Sequence, residues 1–390
     1  MKKFLALLLV LVMVFSLTAC KREEPKPAET TAAQKTDAPA ETTAAQTQAP
    51  ETTAATGEKP YVAVISKGFQ HQFWQVVKKG AEQAGADLGV EVSFDGPPSE
   101  SDINIQVDML KNAMTKNPSA IALAALDTSA VLEQLNESMN KNIPVVGFDS
   151  GVPNAPEGSI YATASTNNYA AAALAAEELF KSEAFQAKLA SGEKIVVGVL
   201  SQDATSESVT KRTSGFVDKL AELVEAADGF SGAVEVVGHT NYAKAAEQDV
   251  KLTIDVNVPA TPSATDMKSA ADTLLAKQGI VAIYGSNEGA ANGILAASSD
   301  GSDFDKENGK FKDILAIGFD AGKTQKTAVT NGWFYGSITQ DPYQIGYQAV
   351  KLAVDAINGV PAESPIVDTG AKFYNKDNIM KPEIDELVYE

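Results

Sequence analysis

One cysteine and two histidines in 390 residues remove several kinds of chemistry at the outset. A single thiol cannot close an intramolecular disulfide or build a Cys-based zinc site, and two distant imidazoles do not make a His-rich metal site. Basic charge is also short. Against 51 Asp and Glu stand only 32 Lys and Arg, a formal net charge of −19. The chain therefore lacks the cationic footprint that phosphate backbones require, and no nucleic acid is expected as a partner. Aromatics are sparse at 7%, but the hydrophobic fraction of 44% is ordinary for a globular protein and can supply a core. At roughly 100–200 residues per domain, the length suggests two domains and a tail.

What is present begins with Met1-Lys2-Lys3, an apolar run over residues 4–17, and Thr18-Ala19-Cys20. A basic start, a short apolar stretch and small residues before a cut read as a secretory signal peptide over 1–19. The apolar run falls short of the ~20 residues that a spanning helix needs. The lone cysteine sits where the signal ends, and Leu17-Thr18-Ala19-Cys20 resembles a bacterial lipobox, so Cys20 is the expected site of lipidation. Two acyl chains, at ~0.8 kcal/mol per buried methylene, hold a protein on a membrane. Residues 20–58 follow as a tether. Its unit recurs as Ala28-Glu29-Thr30-Thr31-Ala32-Ala33, Ala40-Glu41-Thr42-Thr43-Ala44-Ala45 and Pro50-Glu51-Thr52-Thr53-Ala54-Ala55. Without large apolar side chains it cannot offset the entropy of ordering and is expected to stay disordered.

From Tyr61 the pattern changes. Short apolar runs at 61–66, 120–126, 144–149, 194–201, 280–285 and 314–320 read as buried parallel strands. Between them lie amphipathic helical stretches. Phe73, Val76, Val77, Gly80, Ala81, Ala84 and Leu88 fall on one helix face, as do Ile345, Ala349, Leu352, Ala353 and Ala356. Strand–helix alternation of this kind predicts α/β architecture, with two doubly wound parallel-sheet lobes. In such sheets ligands bind beyond the carboxyl ends of the strands. The residues at those ends are uniformly polar: Ser66, Asp127, Asp149, Ser201, Asn287, Asp320 and Gln340.

Several of these sit in suggestive company. Ser66 leads into His71-Gln72-Phe73-Trp74, a hydroxyl and an imidazole beside aromatic faces that suit the C–H faces of a sugar ring. Asp149 and Asp320 end matching runs, Gly147-Phe148-Asp149 and Gly318-Phe319-Asp320, where a carboxylate can accept two hydroxyl hydrogen bonds. Arg212 opens a helical stretch and offers a guanidinium fork to two oxygens. Ser286-Asn287-Glu288 carries neither a dinucleotide fingerprint nor a P-loop. The acidic stretch from Asp300 fails as a calcium loop, because Asn308 and Ile314 occupy the positions that need Gly and Glu. No nucleophile elbow, HExxH helix or histidine placed for a triad occurs. No catalytic group, cofactor or metal is expected.

Taken in order, these motifs resemble the type I periplasmic binding proteins of ribose and galactose type, the solute-binding subunits of ABC importers. The likeness runs from Lys59 to about Asn375. It rests on Ser66 with His71-Gln72-Phe73-Trp74, Ile143-Pro144-Val145-Val146-Gly147-Phe148-Asp149, Arg212-Thr213-Ser214-Gly215-Phe216, Ser286-Asn287-Glu288, Gly318-Phe319-Asp320 and Gln340-Asp341-Pro342-Tyr343. The resemblance implies two lobes joined by a three-strand hinge: 59–164 plus 341–368, and 165–340 plus 369–390. It implies that Ser66, His71, Phe73, Trp74 and Asp149 line the first lobe, and Arg212, Asn287, Asp320 and Gln340 the second lobe and hinge. A monomer that binds a sugar or polyol, is tethered to the membrane by its lipid and partners ABC permease subunits is then expected. His71 stands where ribose binders carry asparagine, and Ser150 where they carry arginine. Tyr242 is the candidate second-lobe aromatic, and a strand-like run over 251–258 has no aligned counterpart. A sensing receptor of the same fold, for a sugar or autoinducer, is the first rival; a nucleoside-binding lipoprotein and an exported glycosidase follow.

Overall fold

The structure, a computed structural model, describes residues 59–389. The expected signal peptide, Cys20 and the tether lie outside the described residues. The chain starts β1 (Tyr61–Ile65), α1 (Gln72–Leu88), β2 (Glu91–Asp95), α2 (Ile103–Thr115), β3 (Ala120–Leu123), α3 (Leu132–Asn140), β4 (Val145–Phe148) and β5 (Thr163–Ser165). It continues α4 (Asn168–Lys181), α5 (Glu183–Ala190), β6 (Ile195–Leu200), α6 (Glu207–Glu225), β7 (Val234–Val237), β8 (Leu252–Asn257), α7 (Ala264–Leu275) and β9 (Ile280–Gly285). Then come α8 (Glu288–Ala296), β10 (Leu315–Phe319), α9 (Lys323–Thr330), β11 (Phe334–Gln340), α10 (Pro342–Ile357), β12 (Ile366–Asp368), β13 (Ala371–Tyr374) and α11 (Pro382–Asp385).

Two sheets result. The first has the order β12-β5-β4-β3-β1-β2, and every pair is parallel. The second has the order β13-β11-β10-β9-β6-β8-β7, parallel except where β13 runs antiparallel to β11. Strands β1, β3, β4 and β6 are almost wholly apolar and almost wholly buried, as expected when helices cover both faces. The six runs read from the sequence all form strands; four end one residue early, where Ser66, Asp149, Ser201 and Asp320 leave the sheet, and the run over 120–126 ends three early, before the buried Ala124-Ala125-Leu126. The run over 251–258 becomes β8. It pairs with β6 on one side and β7 on the other, which leaves β7 at the edge.

The chain passes between the sheets three times, from β5 to α4, from β11 to α10, and from β12 to β13. Helix α10 returns to the first sheet, packing on α1 and against β3, β4 and β5. Its crossing with α1 is close enough that a Cβ at Gly346 would collide with the Val77 carbonyl, and one at Gly80 with the Tyr343 carbonyl. Phe73, Val77, Ala81 and Ala84 of α1 are buried, but Leu88 is 37% exposed, because the helix stops at Gly89 in a left-handed turn. Backbone cannot yield as a side-chain tip can, so Gly346→Ala is expected to cost about 1–3 kcal/mol. Urea unfolding with an unchanged midpoint would contradict that crossing.

Candidate functional site between the lobes

The site is built on two aspartates in unusual backbone. Asp149 follows β4 with φ 55°, and Asp320 follows β10 with φ 76°. Aspartate is among the few residues that tolerate this left-handed region. Each N–H still bonds the neighbouring strand, Asp149 to the Ala164 carbonyl at 2.9 Å and Asp320 to that of Ile338 at 2.6 Å. Each carbonyl is taken by a serine, Ser165 Oγ at 2.7 Å and Ser337 Oγ at 2.9 Å. With the backbone pinned on both sides, the two carboxylates are turned into one cleft.

Arg212, on α6 and 3% exposed, lies between them. Its Nη2 is 3.9 Å from Asp149 Oδ1, and its Nη1 is 3.7 Å from Asp320 Oδ2. Its Nε donates to Asn168 Oδ1 at 2.8 Å and its Nη2 to Gln340 Oε1 at 2.9 Å. The guanidinium also rests 4.0 Å from the centre of the Phe319 ring. Gln340, at the end of β11, donates in turn to Asp320 Oδ1 at 2.5 Å. Burial pushes the Asp320 carboxyl above its usual range, and the Arg212 charge and the Gln340 hydrogen bond oppose that rise.

A second set of bonds spans the cleft. Lys67 Nζ pairs with Asp149 Oδ2 at 2.9 Å and donates to Ser208 Oγ of α6 at 3.0 Å. Burial works against its charge, but Asp149, Glu100 and Asp203 outweigh that and hold its pKa above the ordinary lysine value. Glu100, from the β2–α2 loop, accepts from Trp74 Nε1 at 2.7 Å and from Gln202 Nε2 at 2.6 Å, with His71 Nε2 at 3.8 Å. Asn287 donates to Gln202 Oε1 at 2.7 Å and caps α8 by accepting from Ala290 N–H at 3.0 Å.

Of the residues singled out from the sequence, His71, Phe73, Trp74, Asp149, Arg212, Asn287, Asp320 and Gln340 line one cavity. Ser66 does not. Its hydroxyl turns inward and shares its proton between the Gly68 and Asp95 carbonyls, 3.1 Å each, and the place facing the cleft falls to Lys67. Tyr242 is half-buried against the second-lobe core and does not line the cavity either. The lining adds Lys67, Glu100, Val209 and Glu288, with Gln202 bonded behind them. Lys67, Gln202 and Glu288 each lie one residue beyond a polar strand-end residue, so reading one step further along each loop would have found them. Glu100 had no such signal, since β2 is a half-exposed edge strand.

The cavity holds about 20 Å³, the room of a single water. As it stands, the cavity has no room for a guest the size of a monosaccharide. A larger groove of about 680 Å³ runs along the hinge but is lined mainly by apolar side chains and backbone-bonded polar ones. Among the described residues no three His, Cys, Asp or Glu side chains are grouped to hold a metal ion. The cleft offers four carboxylates, two permanent cations, amides, an imidazole and two aromatic walls. This donor–acceptor set suits a guest rich in hydroxyls.

Two doubly wound lobes joined by three crossings, both sending polar side chains into a shared cavity, define a clamshell binding protein. The chain belongs to the periplasmic binding protein family, whose domain matches residues 62–361. It is 25% identical over 313 residues to the D-allose-binding periplasmic protein of Escherichia coli (strain K12), covering 78% of this chain and 86% of that one. Among solved structures it is similar to an ABC transporter, LacI family transcriptional regulator from Brachyspira murdochii, with 40% identity and a TM-score of 0.70 over 85% of this chain and 99% of that one. It is also similar to an ABC transporter solute binding protein from Agrobacterium vitis with bound D-fucose, with 27% identity and a TM-score of 0.69 over 84% and 100%.

Glu100 gives the site a pH signature. Burial opposes its charge, but His71, Lys67 and the hydrogen bonds from Trp74 and Gln202 win, and its pKa falls below the ordinary 4.5. A depressed carboxylate contributes stability above its unfolded pKa and loses it as pH falls through the folded value. Glu100→Gln is therefore expected to lose about 1.5–3 kcal/mol at neutral pH, with the deficit shrinking below the ordinary glutamate range. Urea titrations from neutral to acid pH check this, and a deficit that does not change with pH would contradict it.

Proposed function

We propose that the chain is a lipid-anchored extracytoplasmic solute-binding protein that takes a monosaccharide or related polyol by hinge closure and delivers it to an ABC permease. One observation carries the reading: strand-end aspartates from both lobes meet one arginine inside a cleft walled by Phe73 and Trp74. Asp149, Asp320, Asn287, Gln340 and His71 would bond ring hydroxyls, with Lys67 and Arg212 donating and the aromatics covering the C–H faces. The allose-binding and fucose-bound relatives support a sugar as the guest.

The lobes would comprise 59–164 plus 341–368 and 165–340 plus 369–390, hinged at the three crossings. Closing them on a guest shifts the population toward the closed form by differential affinity, with no covalent step. Cys20 would carry the acyl chains and residues 20–58 would give reach from the membrane.

A thermal-shift screen against a monosaccharide and polyol library tests the reading, since ligand at 100 times its dissociation constant stabilises by roughly 2.7 kcal/mol. A library in which no sugar raises the melting temperature would overturn it. With the best sugar, Asp149→Ala and Asp320→Ala are each expected to lower affinity by about 1.5–3 kcal/mol in calorimetry. Wild-type affinity in both variants would remove these aspartates from the pocket. For the anchor, labelled palmitate is expected to enter the wild type and not Cys20→Ser, and equal labelling of the two would exclude Cys20.

A further inference from the structure

Among the cavity carboxylates Glu288 alone grips the backbone of the opposite lobe. Its Oε1 accepts from the Gln72 N–H and its Oε2 from the Phe73 N–H, both at 3.2 Å. These amides open α1, a helix with no cap of its own: His71 at the N-cap makes no side-chain bond, and the first turn holds no acidic residue. A carboxylate brought there satisfies orphan amides and meets the positive end of the helix dipole. Glu288 is held from behind, its own N–H donating to Asp320 Oδ2 at 2.8 Å. A second bond ties the same helix start to the second lobe, the Lys323 N–H donating to Gln72 Oε1 at 2.7 Å. Both are bonds from protein to protein, and both require the lobes to meet.

We propose that Glu288 is a positioning residue that sets the balance between parted and closed lobes by capping α1 from across the cleft, with the Gln72–Lys323 bond as its partner. This rests on the binding reading above. The apparent dissociation constant of a guest that needs the closed form is the intrinsic constant divided by the closed fraction. A latch therefore multiplies the constants of all guests by one factor, whereas a contact residue changes them guest by guest.

The test uses the full chain carrying Cys20→Ser, with spin labels at Lys141→Cys and Lys268→Cys, on exposed positions of opposite lobes. Interlobe distances are measured without sugar, and D-ribose, D-allose and D-fucose are then titrated as probes. Glu288→Gln is expected to lengthen the mean distance and weaken all three sugars by the same factor. That factor should equal the ratio of closed fractions that the distances give, with about tenfold, the worth of one charge-assisted hydrogen bond, as its ceiling. Gln72→Ala, which leaves the cavity lining intact, is expected to move both readouts the same way. Distances unchanged in both variants, a wild type already fully parted, or losses that differ from sugar to sugar would each overturn the latch. Because the distances are read without sugar, failure of every sugar to bind would overturn the binding reading and leave the latch still testable.

Discussion

The guanidinium of Arg212 is the piece around which the cleft is organised. Asp149 comes from one sheet and Asp320 from the other, and without a cation between them two buried carboxylates would face each other across a narrow gap. Burial already pushes Asp320 towards its protonated form, and Arg212 is the chief influence in the other direction. Ion pairs taken out of water recover their desolvation only when the remaining hydrogen bonds are also made. Several of them are made here: Asn168 and Gln340 each accept from Arg212, and Gln340 and the Glu288 N–H each donate to Asp320. The arginine fixes the aspartates, and the aspartates fix the strand ends from which the loops of both lobes depart.

That arrangement bears on how a clamshell can both hold and release a guest. The polar groups of the cleft are bonded to one another, Lys67 to Asp149 and Ser208, Glu100 to Trp74 and Gln202, Asn287 to Gln202. A hydroxyl-rich guest would exchange these bonds for its own, leaving the number of satisfied groups almost unchanged. Exchange of like for like keeps the balance between forms shallow, so modest differential affinity can shift it. A binding protein that must release what it holds is served by such a balance. A deep trap would not serve it.

Much of the frame is legible in the amino-acid order. Strands buried on both faces announce themselves as continuous apolar runs, which is why β1, β4, β6 and β10 could be read within a residue or two of their ends. Strands β2 and β7 could not, because an edge strand shows only a weak alternation. The run that became β8 was visible as a strand but not its place, since position between β6 and β7 depends on pairing. In the site, the repeated Gly-Phe-Asp ending was readable as a pair, and so were the aromatics of α1. Ser66 stands at a strand end and within the family motif, yet its hydroxyl is consumed by the carbonyls of Gly68 in its own loop and of Asp95 at the end of β2. Glu100 gave no local sign at all.

The amino-acid order by itself determined where strands end and which side-chain chemistry stands at those ends, because period and residue type are properties of a few neighbouring residues. Tertiary structure alone decided which of those groups look at one another. Asp149 and Asp320 share an arginine only because the chain crosses between sheets, and Lys67 rather than Ser66 faces the cleft because the Gly68 and Asp95 carbonyls hold the serine inward while Asp149 and Ser208 hold the lysine across it. Pairing across a cleft depends on three-dimensional distance and on which donors are already satisfied, and neither is written in the spacing of the residues.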